Sequence, residues 1–481
     1  MLERGSEPTR SEQLFGIDLR SLAALRISFG VLLLADLIYR AIDFRAFYTE
    51  TGVMPRRLYL ETFSHVEVIW SLHLVSTSVA YQIGLFAIAA TAAVALLLGY
   101  RTRTATIVSW ILLISVQHRQ PLIDTGADMI LRLLLFWSIF LPLSGPPSLD
   151  RRKHAPDAKR VDLSPASVAL LVQILLIYAF AMIFKLADPA WTQLTAVEDA
   201  MHVEGVATAF GRELVAHPAL LRVATAMTLV IELALPLLAF SPWKTAQLRL
   251  AIVPSMWAFH LFGVGGTMNL GLFEFIMALT WIPFIPSVFW DRILGRDPSQ
   301  PIAASAAPKR FWSRVRAGFV LFALTLIVVD NGVAMDRTRF QDPIWAFFRF
   351  PTRALALSQN WRLWSTPLRN RYYVFAACLE DGSQVDLHTE EALDWNTPRR
   401  ASQNNHWWKY QLHVSGARGK RLRPQYARYL MRRWNQDQPD EKRVASLEMV
   451  KIDAHRAAGA ISALPRETLW RGGPKPGACR K

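Results

Sequence analysis

The sequence predicts a mainly α-helical, polytopic membrane protein: a helix bundle of about nine spans followed by a small C-terminal α+β domain that faces water. Three observations carry this. Of 481 residues, 52% are hydrophobic and 19% charged, with a mean hydropathy of +0.20, a balance that excludes a soluble enzyme of ordinary composition. Apolar runs near membrane-crossing length recur from residue 21 to residue 329. After Asp330 the sequence turns mixed polar and aromatic, as a domain outside the bilayer requires.

The candidate spans are 21–39, 78–99, 104–117, 127–143, 165–184, 219–240, 250–264, 270–289 and 311–329. The third and seventh are short for a hydrocarbon core that takes about 20 residues to cross. A polar stretch precedes the first span and no small-residue cleavage pattern follows it, so it reads as a retained anchor. Sixteen Lys and Arg, among them Arg101, Arg103, Arg151 to Lys153, Lys244 and Arg249, fall on the N-terminal side of this topology, against seven opposite. Basic residues resist translocation, which places the N-terminus in the cytoplasm and the C-terminal domain outside. The formal net charge of +16 would suggest nucleic acid in a soluble chain. Here the positive-inside bias and anionic lipid account for it, so the expected partner is the bilayer and not nucleic acid.

The expected domains are a transmembrane domain at 1–330, an extracytoplasmic α+β domain at 331–460 and a flexible Pro/Gly-rich tail at 461–481. In the second, RYYVFAACL from Arg371, the turn Glu380-Asp381-Gly382 and SQVDLHT read as a hairpin, because Asp-Gly supplies the positive φ of a tight turn. WKYQLHV near Lys409 and VASLEMVKI from Val444 read as further strands, and 424–435 as a helix with a proline start. Two cysteines, Cys378 and Cys479, make at most one disulfide; they exclude a thiolate metal cluster and leave their own pairing open.

An ionisable side chain costs about 2.5–3.5 kcal/mol in the hydrocarbon zone and tends to face the bundle interior with a partner. Arg26, Asp36, Asp128, Arg132, Glu232, His260 and Glu274 lie inside the apolar spans. Asp128 and Arg132, four apart on one helix face, are placed to pair. Ahead of them His118 opens HRQPLIDTGAD, whose Pro and Gly break the helix and free backbone groups for a ligand, or simply make a turn. Lys185 ends the fifth span in IYAFAMIFKLADPAW: either a desolvated base or a lysine snorkelling to the interface. His260 reads more readily as a helix–helix hydrogen bond than as a proton shuttle. HExxH, P-loop, GxSxG and dinucleotide signatures are absent, and no ligand cluster suggests a metal.

The order of segments resembles the HTTM (horizontally transferred transmembrane domain) family, related to the vitamin K-dependent gamma-carboxylase. The stretches that carry the resemblance include DLRSLAALRISFG from Asp18, FYTETGVMPRR from Phe47, the segment from His118 to Ser144, IYAFAMIFKLADPAW, and AFHLFGVGGTMNLGLFEFIMALTWIPFIP from Ala258. The resemblance implies a reduced quinone of the vitamin K type as cofactor, no metal, and a secreted peptide or protein as substrate. It implies Lys185 as the base that deprotonates the quinol and His260 as a second catalytic group. His118, Asp128, Arg132, Trp191, Glu232 and Glu274 would then line the cavity. Asp128 stands where the carboxylase is expected to have a histidine, a departure from its pattern.

A second function fits the same residues. The fold would serve as a non-enzymatic scaffold or maturation and export factor, with the basic run Arg418, Lys420, Arg421 and Arg423 gripping an acidic secreted client. A transporter is disfavoured by the absence of an evident inverted repeat.

Overall fold

The computed structural model describes residues 9–63, 70–145, 147–150, 161–203, 205–294, 310–335, 343–359, 361, 370–395, 404–454 and 465–475. Helix α1 (Leu19–Ile42) starts at Asp18, whose side chain accepts from Arg20 N, and α2 (Val79–Leu98) starts at Ser78 in the same way. The two pack so closely that a Cβ on Gly30 would lie 2.8 Å from Leu97 Cα, the close approach that small residues allow between membrane helices. Helix α2 stops at Gly99, whose φ of +67° suits glycine, and Arg26 closes that end by donating to Leu96 O and Leu97 O at 2.9 and 2.7 Å.

Next come α3 (Thr102–Arg119), α4 (Gly126–Ser138), α5 (Pro165–Leu186), α6 (Pro218–Leu238) and α7 (Thr245–Trp257). Helix α7 continues as a π-helical turn, Ala258–Val264. Then follow α8 (Phe273–Leu279), α9 (Ser287–Leu294), α10 (Arg310–Met335) and α11 (Pro343–Ala354).

Among the described residues six helices are long and apolar enough to cross a membrane: α1, α2, α5, α6, α10 and the continuous Thr245–Thr267. A seventh span is reached if Phe273–Phe284 and Ser287–Leu294, bent by 91°, count as one. Six or seven of the nine expected spans therefore meet this test. Span 127–143 falls on α4, whose 13 residues cover about 20 Å at 1.5 Å per residue, short of a core about 30 Å thick. Span 104–117 falls on α3, which carries Thr102, Thr106, Ser109, Ser115 and Gln117 buried against its neighbours. Pro283 and Pro286 flank the break in span 270–289.

The C-terminal region contains an antiparallel sheet of five strands: β1 (Asn370–Leu379), β2 (Gln384–Asp386), β3 (Glu391–Ala392), β4 (Val444–Ala454) and β5 (Arg466–Gly472), in the order β3-β2-β1-β4-β5. The hairpin through Gly382, at φ +83°, forms as the sequence suggests. Two expectations are corrected. WKYQLHV is not a strand: it lies in helix α12 (Asn405–Ser415), where Asn404 caps Trp407 N and Trp407, Tyr410, Gln411 and Val414 form one buried face. The tail expected at 461–481 includes β5, paired with β4. Helix α13 (Arg423–Asn435) follows its proline start. Cys378 is disulfide-bonded; the chain's other cysteine, Cys479, lies outside the described residues.

Two large apolar cores result. One fills the bundle around Phe29, Trp137 and Trp281, and Leu357 and Trp361 belong to it although they follow the last span. The other joins Phe47, Tyr48, Val53, Met54, Tyr59 and Ile123, from connections at one end of the bundle, to Phe375, Trp407, Tyr410 and Tyr426 of the C-terminal domain. That domain is thus seated on the bundle by a shared core.

Candidate functional site: a cavity beside the peripheral helix α6

Tyr178, Ala181 and Lys185 are three and four residues apart on α5 and so share one face. Just past the end of α5, Asp188 caps the short helix Pro189–Thr192 by accepting from Ala190 N at 2.9 Å. This turn folds Trp191 back over Lys185, whose Nζ lies 4.6 Å from the ring centroid. Lys185 Nζ donates to Glu232 of α6 in an ion pair. Lys185 is 3% exposed, so it does not snorkel to water.

On the far wall the π-helical turn brings His260 inward, 2% exposed. Such turns carry one extra residue and recur where a helix must re-aim a side chain. His260 Nε2 is 2.9 Å from the Tyr178 hydroxyl, and that oxygen accepts from Trp281 Nε1 at 2.8 Å. His260 Nδ1 has no partner among the described residues. Leaving a buried polar atom unpaired costs about 1–3 kcal/mol.

These groups enclose a cavity of about 70 Å³ whose lining includes Tyr178, Lys185, Trp191, Thr228, Glu232 and His260. The other walls are apolar, Phe259, Phe273 and Met277 among them. One water needs about 10–15 Å³ by this measure, so there is space for several. Helix α6 forms the outer wall and is peripheral, with only 17% of its span buried. Four of the eight residues expected in the site, Lys185, His260, Trp191 and Glu232, thus meet in one cavity.

The other four lie elsewhere. Glu274 is buried beside the π turn, where its Oε1 accepts from Leu270 N at 3.1 Å, and it does not line the cavity. His118 Nδ1 lies 2.9 Å from the Trp70 carbonyl. Asp128 is the third residue of a capping box, accepting from Thr125 N and Oγ1 at 2.7 and 2.8 Å. Its other oxygen takes Arg40 and not Arg132, which corrects the expected i,i+4 pair. Arg132 donates instead to Gln117 Oε1 at 2.6 Å and to the Ala356 carbonyl at 2.8 Å.

Arg40 is the residue that sequence reasoning passed over. Fully buried, it donates Nε to Asp36 at 2.9 Å, Nη1 to the Tyr48 hydroxyl at 3.2 Å and Nη2 to Asp128, with Asp124 at 3.9 Å. Position 40 falls one residue past the apolar run and so looks like an interfacial arginine. Its signal was Asp36, four residues earlier on the same helix face. Tyr178 and Trp281 were missed for another reason: an aromatic in an apolar helix has the signature of packing.

The C-terminal domain carries the basic run. Arg423 is buried there and donates to Val414 O, Ser415 O, Gly416 O and Leu469 O, so it holds the domain together and is not available to grip a client. Arg418, Lys420 and Arg421 are exposed, and α13 adds exposed Arg428 and Arg432.

The Lipase maturation factor transmembrane domain matches residues 21–290, more than half of the chain and the region from α1 into α9. This overturns the HTTM and gamma-carboxylase resemblance: the family match is to a maturation factor. No curated protein and no solved structure matches the chain. On the strength of that domain, which contains every wall of the cavity, the chain belongs to the lipase maturation factor transmembrane-domain family.

Proposed function

We propose that this chain is a membrane-embedded maturation factor for a secreted client, acting by holding that client and not by chemistry on it. The family match is the observation that carries the reading. The setting of Lys185 supports it, because its Nζ is paired with Glu232 and covered by the Trp191 ring instead of standing open to a client. In this reading the bundle anchors the chain with its N-terminus in the cytoplasm. The C-terminal domain stands outside and offers Arg418, Lys420, Arg421 and Arg428 to an acidic surface of the client. The family's name points to a lipase as the client class.

The test is secretion of active lipase from cells that depend on this chain. Lys185→Met and His260→Phe, each replaced alone, are expected to leave the yield of active lipase within about twofold. Alanine at all four exposed basic positions is expected to lower it about tenfold and to weaken client capture, with the difference from the parent shrinking as salt rises. The opposite pattern, with yield lost at Lys185 in a correctly inserted protein and unaffected at the basic ridge, would sink the holding reading and favour chemistry at the lysine, with the reduced quinone as its cofactor.

A further inference from the structure

We propose that the cavity beside α6 is a binding site for a single-chain, hydroxyl-headed lipid taken from the bilayer. The inference stands apart from the client reading, since it concerns the bundle and not the outer domain.

The walls set the tail. Ile177, Ala181, Val197, Phe259, Phe273 and Met277 present carbon to the space, so an alkyl chain loses water-exposed surface there without losing hydrogen bonds. Volume sets the number of chains: about 70 Å³ suits one slender chain end and excludes a two-chain phospholipid.

The head follows from charge. Lys185 and Glu232 are both on the wall and paired, so the lining has no net charge to offer. A carboxylate or phosphate entering there would be stripped of water beside an already satisfied cation, a cost that a neutral head avoids. His260 supplies the complementary polar atom. When the Tyr178 hydroxyl donates to Nε2, Nδ1 carries the proton and is a free donor; in the other tautomer Nδ1 is a free acceptor. A hydroxyl satisfies either tautomer, because it both donates and accepts. The route is lateral. Helix α6, a wall of the cavity, is peripheral, and along it Val223, Met227, Val230 and Leu233 are exposed.

The experiment uses the full chain in lipid nanodiscs and a photoactivatable hexadecanol, with the matching hexadecanoic acid as the anionic probe. Labelled residues are mapped by mass spectrometry. Hexadecanol is expected to label cavity residues on α5 and the π turn saturably, and at least about fivefold more than the acid, the ratio expected when one head arrives charged and unpaired. Labelling of Val230 and Leu233 on the lipid side of α6 should be unsaturable and equal for both probes. Ala181→Phe, which fills the cavity, should abolish the saturable component alone. Glu232→Gln, which takes away the carboxylate that occupies Lys185, should reverse the preference towards the acid. Should Ala181→Phe fail to insert, competition by unlabelled hexadecanol supplies the same measurement on the unaltered chain. Labelling confined to the lipid face, equal cavity labelling by both probes, or stronger displacement by a short-chain quinol than by hexadecanol would each overturn the proposal.

Discussion

Lys185 and Arg40 each place a cation inside apolar helices, and the bundle treats them in opposite ways. Arg40 has every arm occupied, by Asp36, Tyr48 and Asp128, and Asn405 and His406 of the outer domain line the same small space as Asp36 and Asp128. Lys185 has one carboxylate and one aromatic ring, and beyond them an apolar cavity behind a peripheral helix. The first arrangement is a joint between two regions; the second has room for something else. Burial of charge alone does not distinguish a site from a support, whereas the number of partners and the space left over do.

Removing each cation in turn tests that contrast most severely. Arg40→Met leaves two carboxylates buried without their counter-ion, which should cost about 3–5 kcal/mol. The outer domain is expected to lose its protease protection and the detergent-solubilised protein to unfold at markedly lower temperature. Lys185→Met should be milder, about 1–3 kcal/mol, because Glu232 retains an open side towards the cavity. Adding Glu232→Leu should bring stability back to within about 1 kcal/mol of the parent. Equal damage from the two single variants would erase the distinction between joint and pocket. A third change probes a polar contact inside the bundle: Gln359→Ala removes partners of Gln173 and Trp361 and should cost about 1–2 kcal/mol by thermal unfolding.

Acid should loosen the outer domain. Burial holds His406 down at about 3 and His388 down at about 4, while it pushes Asp386 up to about 6. The histidines are neutral when folded, so their contribution is complete above their unfolded pKa of about 6.5 and is lost progressively as pH falls towards 4. Asp386 runs the other way, since its protonated form is the one that burial favours, and stability is regained as pH falls through 6. Two histidines outweigh one aspartate. Proteolysis of the outer domain should therefore accelerate between pH 6.5 and pH 4, with only a slight change from pH 7 to 6.5. Asp386→Asn should steepen that loss by removing the opposing group.

Much of the architecture could be read from residue patterns. Apolar runs gave the long spans, Asp381-Gly382 gave the hairpin, and Lys185, Trp191, Glu232 and His260 were recognised as candidates before their meeting was visible. Partner choice was hidden because it depends on three dimensions: Asp128 has Arg132 one turn away, yet its capping role turns it towards Arg40, 88 residues distant. Helix α12 misled for a simpler reason. Alternating bulky residues in WKYQLHV fit a strand, while the capping Asn404 ahead of them and the burial of positions 407, 410, 411 and 414 favour a helix. The HTTM resemblance misled because the stretches that carry it are apolar strings, each weak by itself.

The chain after α10 turns back into the bundle. Arg132 holds the carbonyls of Ala356 and Ser358, Gln359 N donates to Asp330, and Trp361 is completely enclosed. Cutting the molecule at the end of its last span would therefore not release a finished bundle. Such a fragment would have a socket where an indole had been and an arginine without its acceptors, so the anchor and its crown behave as halves of one casting.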